Sequence, residues 1–237
     1  MLVHRDLNLF IVADGMGGHK GGEIASQMAI QSIAEYFQSN LPKFTSDMQE
    51  NELCRFIANS ICKANTDIYT KGKKDKDLEG MGTTVVQLFF NKDKLYIGNL
   101  GDSRAYLVHQ QMIYQLTRDH SLIQEKLSQG IYTRAQALQD THKNVLSKTC
   151  GFHSAVNPDV FVYKVKKNDC FVICSDGLSG LIGDDQMLQI IMKHLPAIEL
   201  SPTEKEMPIN TIAKELVSAA NKNGGLDNIS VVVALAS

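Results

Sequence analysis

The chain has no apolar run approaching the roughly 18 residues that a membrane-spanning helix needs. The opening Met1-Leu2-Val3-His4-Arg5-Asp6 lacks the long apolar core of a secretory signal. Net charge is nearly absent as well: 24 basic and 26 acidic residues leave −2. That balance gives no footprint for nucleic acid or an anionic membrane as a partner. The densest basic cluster, Lys71 to Lys76, is broken by Gly72 and Asp75 and reads as a solvated loop. Five cysteines, an odd number with no Cys-x-x-Cys among them, argue against a disulfide framework. Cys170 and Cys174 fall on one expected strand about 13 Å apart, too far to share a bridge or a metal. All five thiols read as small buried hydrophobes of a cytoplasmic, reducing compartment. There is no internal repeat and no low-complexity tract.

What remains is an ordinary globular composition, 43% hydrophobic and 21% charged over 237 residues. This is enough for one large domain with a sizeable core. Residues 8–13 read as a buried strand. From Gly22, apolar residues at three- and four-residue spacing (Ile24, Ala25, Met28, Ala29, Ile33) predict an amphipathic helix. It has Glu23 in its first turn and ends at Asn40-Leu41-Pro42. Ser46 and Gln49 form a candidate capping box for a second helix that reaches about Tyr69. Four strands follow: Thr83 to Phe90, Leu95 to Leu100, Arg104 to His109 and Ile113 to Leu116. Their tight turns predict antiparallel pairing. Residues 117–150 are more polar, with short helices expected over Ser121–Gln129 and Thr133–Leu138, and look like a flap laid over the sheet. A hairpin is expected from Val160–Val165 and Cys170–Ser175. Next come a helix capped by Asp184 or Asp185, a loop from Ser201 to Asn210, a last helix capped by Asn210, and a closing strand from Ile229 to Leu235. The order suggests an α+β fold, with sheets packed together and helices outside.

Chemistry concentrates where strands end. Leu9 to Ala13 runs into Asp14-Gly15-Met16-Gly17-Gly18-His19. Phe171 to Ser175 runs into Asp176-Gly177. Gly225-Leu226 precedes Asp227-Asn228, and Gly101-Asp102-Ser103-Arg104 turns between two strands. Hard divalent cations take oxygen ligands, and a short carboxylate holds such an ion close to a rigid backbone. Adjacent glycine lets a carbonyl or a substrate approach. Clustered carboxylates repel one another and are stable together mainly around a cation. Each Asp-Gly alone is also a common turn; the joint pattern is what points to a site.

Five segments of the chain together resemble the bacterial PP2C-type (PPM) metal-dependent protein serine/threonine phosphatases. They are Val12 to His19 with Gly22-Glu23-Ile24-Ala25-Ser26, Glu79 to Thr84, Gly98 to Arg104, Cys174 to Ser179, and Gly225 to Val233. They occur in the family's order and span nearly the whole chain. The resemblance implies a single domain over 1–237, built as a four-layer α-β-β-α sandwich of two antiparallel sheets flanked by helix pairs, with 117–150 as a flap subdomain. It implies catalytic aspartates at Asp14, Asp176 and Asp227. It also implies metal ligation by Asp14, the Gly15 carbonyl, Asp102, Asp176 and Asp227, with two and possibly three Mn²⁺ or Mg²⁺ ions. The implied reaction is hydrolysis of phosphoserine or phosphothreonine in proteins by a metal-bridged hydroxide, without a cysteine nucleophile. The implied partners are phosphoproteins made by an opposing serine/threonine kinase, and the protein is expected to be a monomer.

The family normally begins with a strand carrying an arginine, followed by an Asn-Glu-Asp motif, and nothing in Met1 to Asp6 matches it. The expectation is a domain lacking that strand, with an open sheet edge and a weakened second metal site. Arg5-Asp6 is a poor substitute. Met16 stands where eukaryotic relatives carry a histidine proposed as general acid, which leaves His19, His120 and His142 as unranked candidates. His142-Lys143-Asn144 could approach a phosphopeptide, although a solvated loop is the simpler reading. The rivals to a phosphatase are a catalytically impaired phosphatase-like domain that binds phosphoproteins and a hydrolase of small phosphate esters.

Overall fold

A computed structural model describes residues 1–16, 19–41, 48–140, 145–195 and 202–236. Strands β1 (Leu2–His4) and β2 (Leu9–Val12) pair around a 3-10 turn at Arg5–Leu7. The short β3 (Gly15–Met16) leads into two long helices, α1 (His19–Asn40) and α2 (Glu50–Lys74). Then come β4 (Gly82–Thr83), β5 (Val85–Asn91), β6 (Lys94–Leu100), β7 (Arg104–His109) and β8 (Met112–Gln115). Helices α3 (Leu122–Ser128) and α4 (Arg134–Gln139) lie in the polar excursion. The chain closes with β9 (Asp159–Lys164), β10 (Cys170–Cys174), α5 (Asp176–Ser179), α6 (Asp184–His194), α7 (Pro202–Lys222) and β11 (Val231–Leu235).

Two large antiparallel sheets form, in the orders β1-β2-β5-β6-β9 and β11-β10-β7-β8, and β3 pairs with β4 in a short ribbon. The period of two along each strand divides the side chains between two cores. From β5, Val86 and Leu88 join the layer between the sheets, while Val85 and Phe89 pack with α1 and α2. From β10, Phe171 and Ile173 face the other sheet, whereas Cys170, Val172 and Cys174 pack with Met187 and Ile191 of α6 and Leu216 of α7. The result is the four-layer sandwich that the resemblance implies. All five cysteines are free, and Cys150, Cys170 and Cys174 are buried, with burial raising each of these thiols to about 12.

The register places one set of strand ends together. Val12 pairs with Val86, Val85 with Leu100, and Cys174 with both Arg104 and Val231. Asp14, Asp102, Asp176 and Asp227 therefore all leave or enter the sheets at the same end.

Several expectations are corrected. Leu2–His4 forms a strand that three residues cannot announce by periodicity. Helix α1 starts at His19, so Glu23 lies beyond its first turn. Ser46 lies outside the described residues; α2 is opened instead by Gln49 and Glu52, a reciprocal capping box, and runs on through Lys74. The basic run from Lys71 is thus partly helical, where cations suit the negative end of the helix dipole. The expected Thr83–Phe90 strand divides at Thr84 into β4 and β5. β9 and β10 are not a hairpin: β9 pairs with β6, and β10 lies between β7 and β11. Both β6→β7 and β9→β10 cross from one sheet to the other, because each of these strands has an apolar face to bury between the sheets. Gly183, not Asp184 or Asp185, is the N-cap of α6. The expected 201–210 loop is helical from Pro202, with Pro208 inside α7 and no cap at Asn210. Proline is tolerated in a first turn because its missing N–H would have no partner there, and Pro208 forfeits one bond.

Candidate metal centre and active site

Asp14 is fixed through its backbone. Its N–H donates to Thr84 Oγ1 at 3.0 Å. Its carbonyl accepts from Thr84 N–H and from Thr83 Oγ1, both at 2.8 Å. Immediately after it, Gly15 meets the start of α1 backbone to backbone. A Cβ at Gly15 would stand 1.9 Å from the Gly22 carbonyl oxygen, so no side chain fits there. On the second sheet, Ser175 joins the two remaining turns. Its hydroxyl donates to the Asn228 carbonyl at 3.1 Å and accepts from Ser230 N–H at 3.0 Å. A Cβ at Gly177 would lie 2.3 Å from the Asn228 oxygen, so the Asp176 and Asp227 turns approach to backbone contact.

The carboxylates sense one another. Asp14 is pushed up to about 8, first by burial, then by the approach of the Asp176 carboxyl and its charge, then by the charges of Asp227 and Asp102. Asp102 is pushed up to about 6 by burial, then by Asp176 and Asp119, against the pull of Arg104. Two carboxyls that close together need a proton or a cation between them. Asp176 Oδ1 is buried with no hydrogen-bond partner among the described residues, which is costly unless a ligand completes it. Asp227 is exposed, and its Oδ1 accepts from Asn228 N–H at 2.7 Å. The four aspartates thus occupy one electrostatic neighbourhood without forming a closed cage. Among the described residues, no three His, Cys, Asp or Glu side chains are gathered as a ready ion site.

These features decide which group fits. Oxygen donors on separate rigid turns, one buried oxygen without a partner among the described residues, and a carboxyl kept protonated by burial and by its acidic neighbours match a hard divalent cation. They do not match a soft metal or an organic cofactor.

A protein phosphatase 2C family model matches residues 2–207. The chain belongs to the protein phosphatase 2C family. Among its relatives, the serine/threonine phosphatase stp of Listeria monocytogenes is 32% identical over 225 residues, covering 95% of this chain and 83% of that protein. The S. agalactiae serine/threonine phosphatase structure superposes with a TM-score of 0.79 at 31% identity, covering 96% of this chain and 86% of that one. The catalytic domain of the serine/threonine protein phosphatase PstP, solved in complex with two manganese ions, gives 0.76 at 28% identity, covering 97% and 88%.

Other residues of this phosphatase chain fall into place around the centre. Arg104 grips Asp119 through Nε, which donates to Oδ1 at 3.0 Å and to Oδ2 at 3.2 Å, and through Nη2, which donates to Oδ2 at 2.7 Å, while Nη1 donates to Tyr106 Oη at 3.1 Å. Arg5 and Asp6 lie in the turn at the opposite end of β2 from Asp14, away from the centre. Of the candidate acids, His120 is buried and its pKa is lowered, chiefly by burial. The His19 side chain, Gly17-Gly18 and all of His142-Lys143-Asn144 lie outside the described residues. Thr84, Ser103, Ser175 and His120 were not singled out from the sequence for the roles they hold. The signal was present only in their position beside the aspartates, since each acts through a partner distant in the chain.

Proposed function

We propose that this protein hydrolyses phosphoserine and phosphothreonine esters in proteins, using Mn²⁺ or Mg²⁺ held by Asp14, the Gly15 carbonyl, Asp176 and Asp227, with Asp102 and Asp176 as donors for a third ion. Family membership establishes the class of enzyme. The observation that carries the site assignment is Asp14, raised to about 8 beside Asp176, whose buried Oδ1 has no hydrogen-bond partner among the described residues. When bound, the ions supply Lewis acidity and make a water acidic enough to ionise near neutral pH.

The chain's own part is to hold and to yield. Thr83 and Thr84 hold the Asp14 backbone, and so the point from which its carboxyl reaches toward Asp176. Asp14 would have to give up its proton to hold a cation. Asp227, whose Oδ1 accepts from Asn228 N–H, would offer its other carboxylate oxygen as a donor. No thiol takes part: the three buried cysteines are held as neutral thiols. Residues 117–150 would serve as a flap beside the centre. The same reading extends to substrates made by an opposing serine/threonine kinase and to a monomeric protein. The five free thiols support a reducing, cytoplasmic compartment.

The test is hydrolysis of a phosphothreonine peptide with Mn²⁺, with EDTA, and after Asp176→Asn. Activity should require the metal and collapse in the variant; metal-independent turnover, or an unaffected variant, would overturn the reading. Tight Mn²⁺ binding without turnover would instead favour a phosphoprotein-binding domain. A higher kcat/KM for small phosphate esters than for peptides would move the substrate away from proteins.

A further inference from the structure

His120 stands where three parts of the chain meet. Its backbone N–H donates to the Gly101 carbonyl at 3.0 Å, and Gly101 N–H donates back to His120 Nδ1 at 3.1 Å. Its own carbonyl accepts from Ser147 N–H at 2.9 Å, which secures the returning leg of the excursion. Beside it, Ser121 caps α3 through Gln124 N–H and forms an antiparallel bridge with Leu146. On its other side, Nε2 lies 3.2 Å from Asp159 Oδ2 at the start of β9, too poorly aligned to count as a hydrogen bond. The chain is tied two residues earlier as well, since Asn99 Nδ2 donates to the Arg118 carbonyl at 3.1 Å.

The ring is not built for proton transfer. It is 6% exposed and burial favours its neutral form. Nδ1 is committed as an acceptor to Gly101, which leaves the ring proton on Nε2, facing the Asp159 carboxylate. Gly101 has φ +112, a conformation open to glycine and strained for other residues. It immediately precedes Asp102. Two reciprocal bonds on such a residue set the direction in which the chain leaves it.

From this geometry we propose that His120 is a positioning residue. Its Nδ1 holds the Gly101 amide and so aims the Asp102 carboxylate at the aspartate centre, and its backbone makes the same turn the anchor for both legs of the 121–146 excursion. Asp102 and the excursion then share one support, and loosening it disturbs both. The proposal rests on the reading of Asp102 as a metal donor.

Asparagine and glutamine separate this role from general packing. The Oδ1 of asparagine can take the place of Nδ1, whereas glutamine places its amide further out, near Nε2. Amide hydrogen exchange on the metal-free protein gives the first readout. His120→Ala and His120→Gln should lose protection at the Gly101 amide, and His120→Asn should keep it. Mn²⁺ binding, followed by the electron paramagnetic resonance signal of free Mn²⁺, gives the second. His120→Ala and His120→Gln should weaken the Asp102-dependent site about tenfold, as second-layer partners of metal ligands generally do. His120→Asn should bind close to the parent, and adding His120→Ala to Asp102→Asn should cause no further loss. Equal behaviour of the asparagine and glutamine variants in both readouts, or additive losses in the double variant, would overturn the proposal. If Asp102→Asn weakens Mn²⁺ binding while His120→Ala does not, the positioning role alone is overturned. If Asp102→Asn binds Mn²⁺ like the parent, the donor role of Asp102 falls, and this proposal with it.

Discussion

Thr84 Oγ1 stands 2.6 Å from Ser103 Oγ, and both side chains are buried. Thr84 also accepts from Asp14 N–H, so one hydroxyl links the turn of Asp14 to the turn that carries Asp102. Thr84→Val keeps the shape and removes the link, leaving an amide and a hydroxyl unsatisfied. The expected cost is about 1–3 kcal/mol. Thermal unfolding should register it at about 2–4 °C per kcal/mol for a chain of this size, together with weaker Mn²⁺ binding by titration calorimetry. Ser103→Ala leaves the Asp14–Thr84 bond in place and should cost less.

The raised carboxyls make stability depend on pH in a defined direction. The Asp14 carboxyl is pushed up to about 8 in the folded chain from its ordinary 3.8, so between these values the folded state holds the extra proton. Stability from this group is present below about pH 4 and is lost as pH rises toward 8. Asp102, at about 6, adds to the same trend over the lower part of the range. The unfolding temperature of EDTA-treated protein should therefore show a downward contribution between pH 5 and 8. The gain on adding Mn²⁺ should grow over the same interval as the cation displaces the proton. Asp14→Asn should flatten the metal-free slope.

Gly177 and Gly183 offer a matched pair of substitutions. Alanine at Gly177 drives a Cβ against the Asn228 carbonyl, while alanine at Gly183 meets nothing within 4 Å. Urea denaturation should show Gly177→Ala losing about 2 kcal/mol or more, in the range of backbone clashes and overpacking. Gly183→Ala should stay within about 1 kcal/mol, the scale of an N-cap change. Only the first should also impair Mn²⁺ binding, because it separates the Asp176 and Asp227 turns.

Arg104→Lys tests the planar grip on Asp119. Lysine keeps the charge but cannot reproduce two parallel bonds to the carboxylate plus a third to Tyr106. The pair is largely shielded, with 28% and 14% side-chain exposure. A loss of about 1–3 kcal/mol is expected in chemical denaturation, within the usual range for hydrogen bonds to charged groups. Tyr106→Phe should lose less, since it removes only the bond to Tyr106 and leaves the grip on Asp119.

Much of the fold was legible because each long element repeats its own signal. The spacing in α1 and α2 and the β-branched runs of β5 and β10 carry their structure locally. The partners of those strands were not legible. β9 and β10 look like a hairpin by separation alone, yet they lie in different sheets, with Phe161 and Tyr163 of β9 packed in the layer that holds Phe171 of β10. Pro202 and Pro208 look like a loop by composition, yet the apolar face of Ile212, Leu216 and Ala220 keeps α7 on the sheet. At the centre, the Asp-Gly pairs advertised the aspartates. The hydroxyls and the imidazole that hold their turns gave no such sign, because serine, threonine and histidine become informative only once a distant backbone is brought to them.

The bond from Asp14 to Thr84 joins residues 70 apart in the chain, and that from Ser175 to Asn228 joins residues 53 apart. Contacts of such long range form only after much of the chain has been ordered, since loop closure comes before their reward. The aspartate centre is therefore a late product of folding, and a partly folded or truncated chain has no fraction of it. A nascent chain emerging from the ribosome would carry Asp14 long before Asp227, so the centre could not assemble until the Asp227 turn and β11, which pairs with β10, had both emerged.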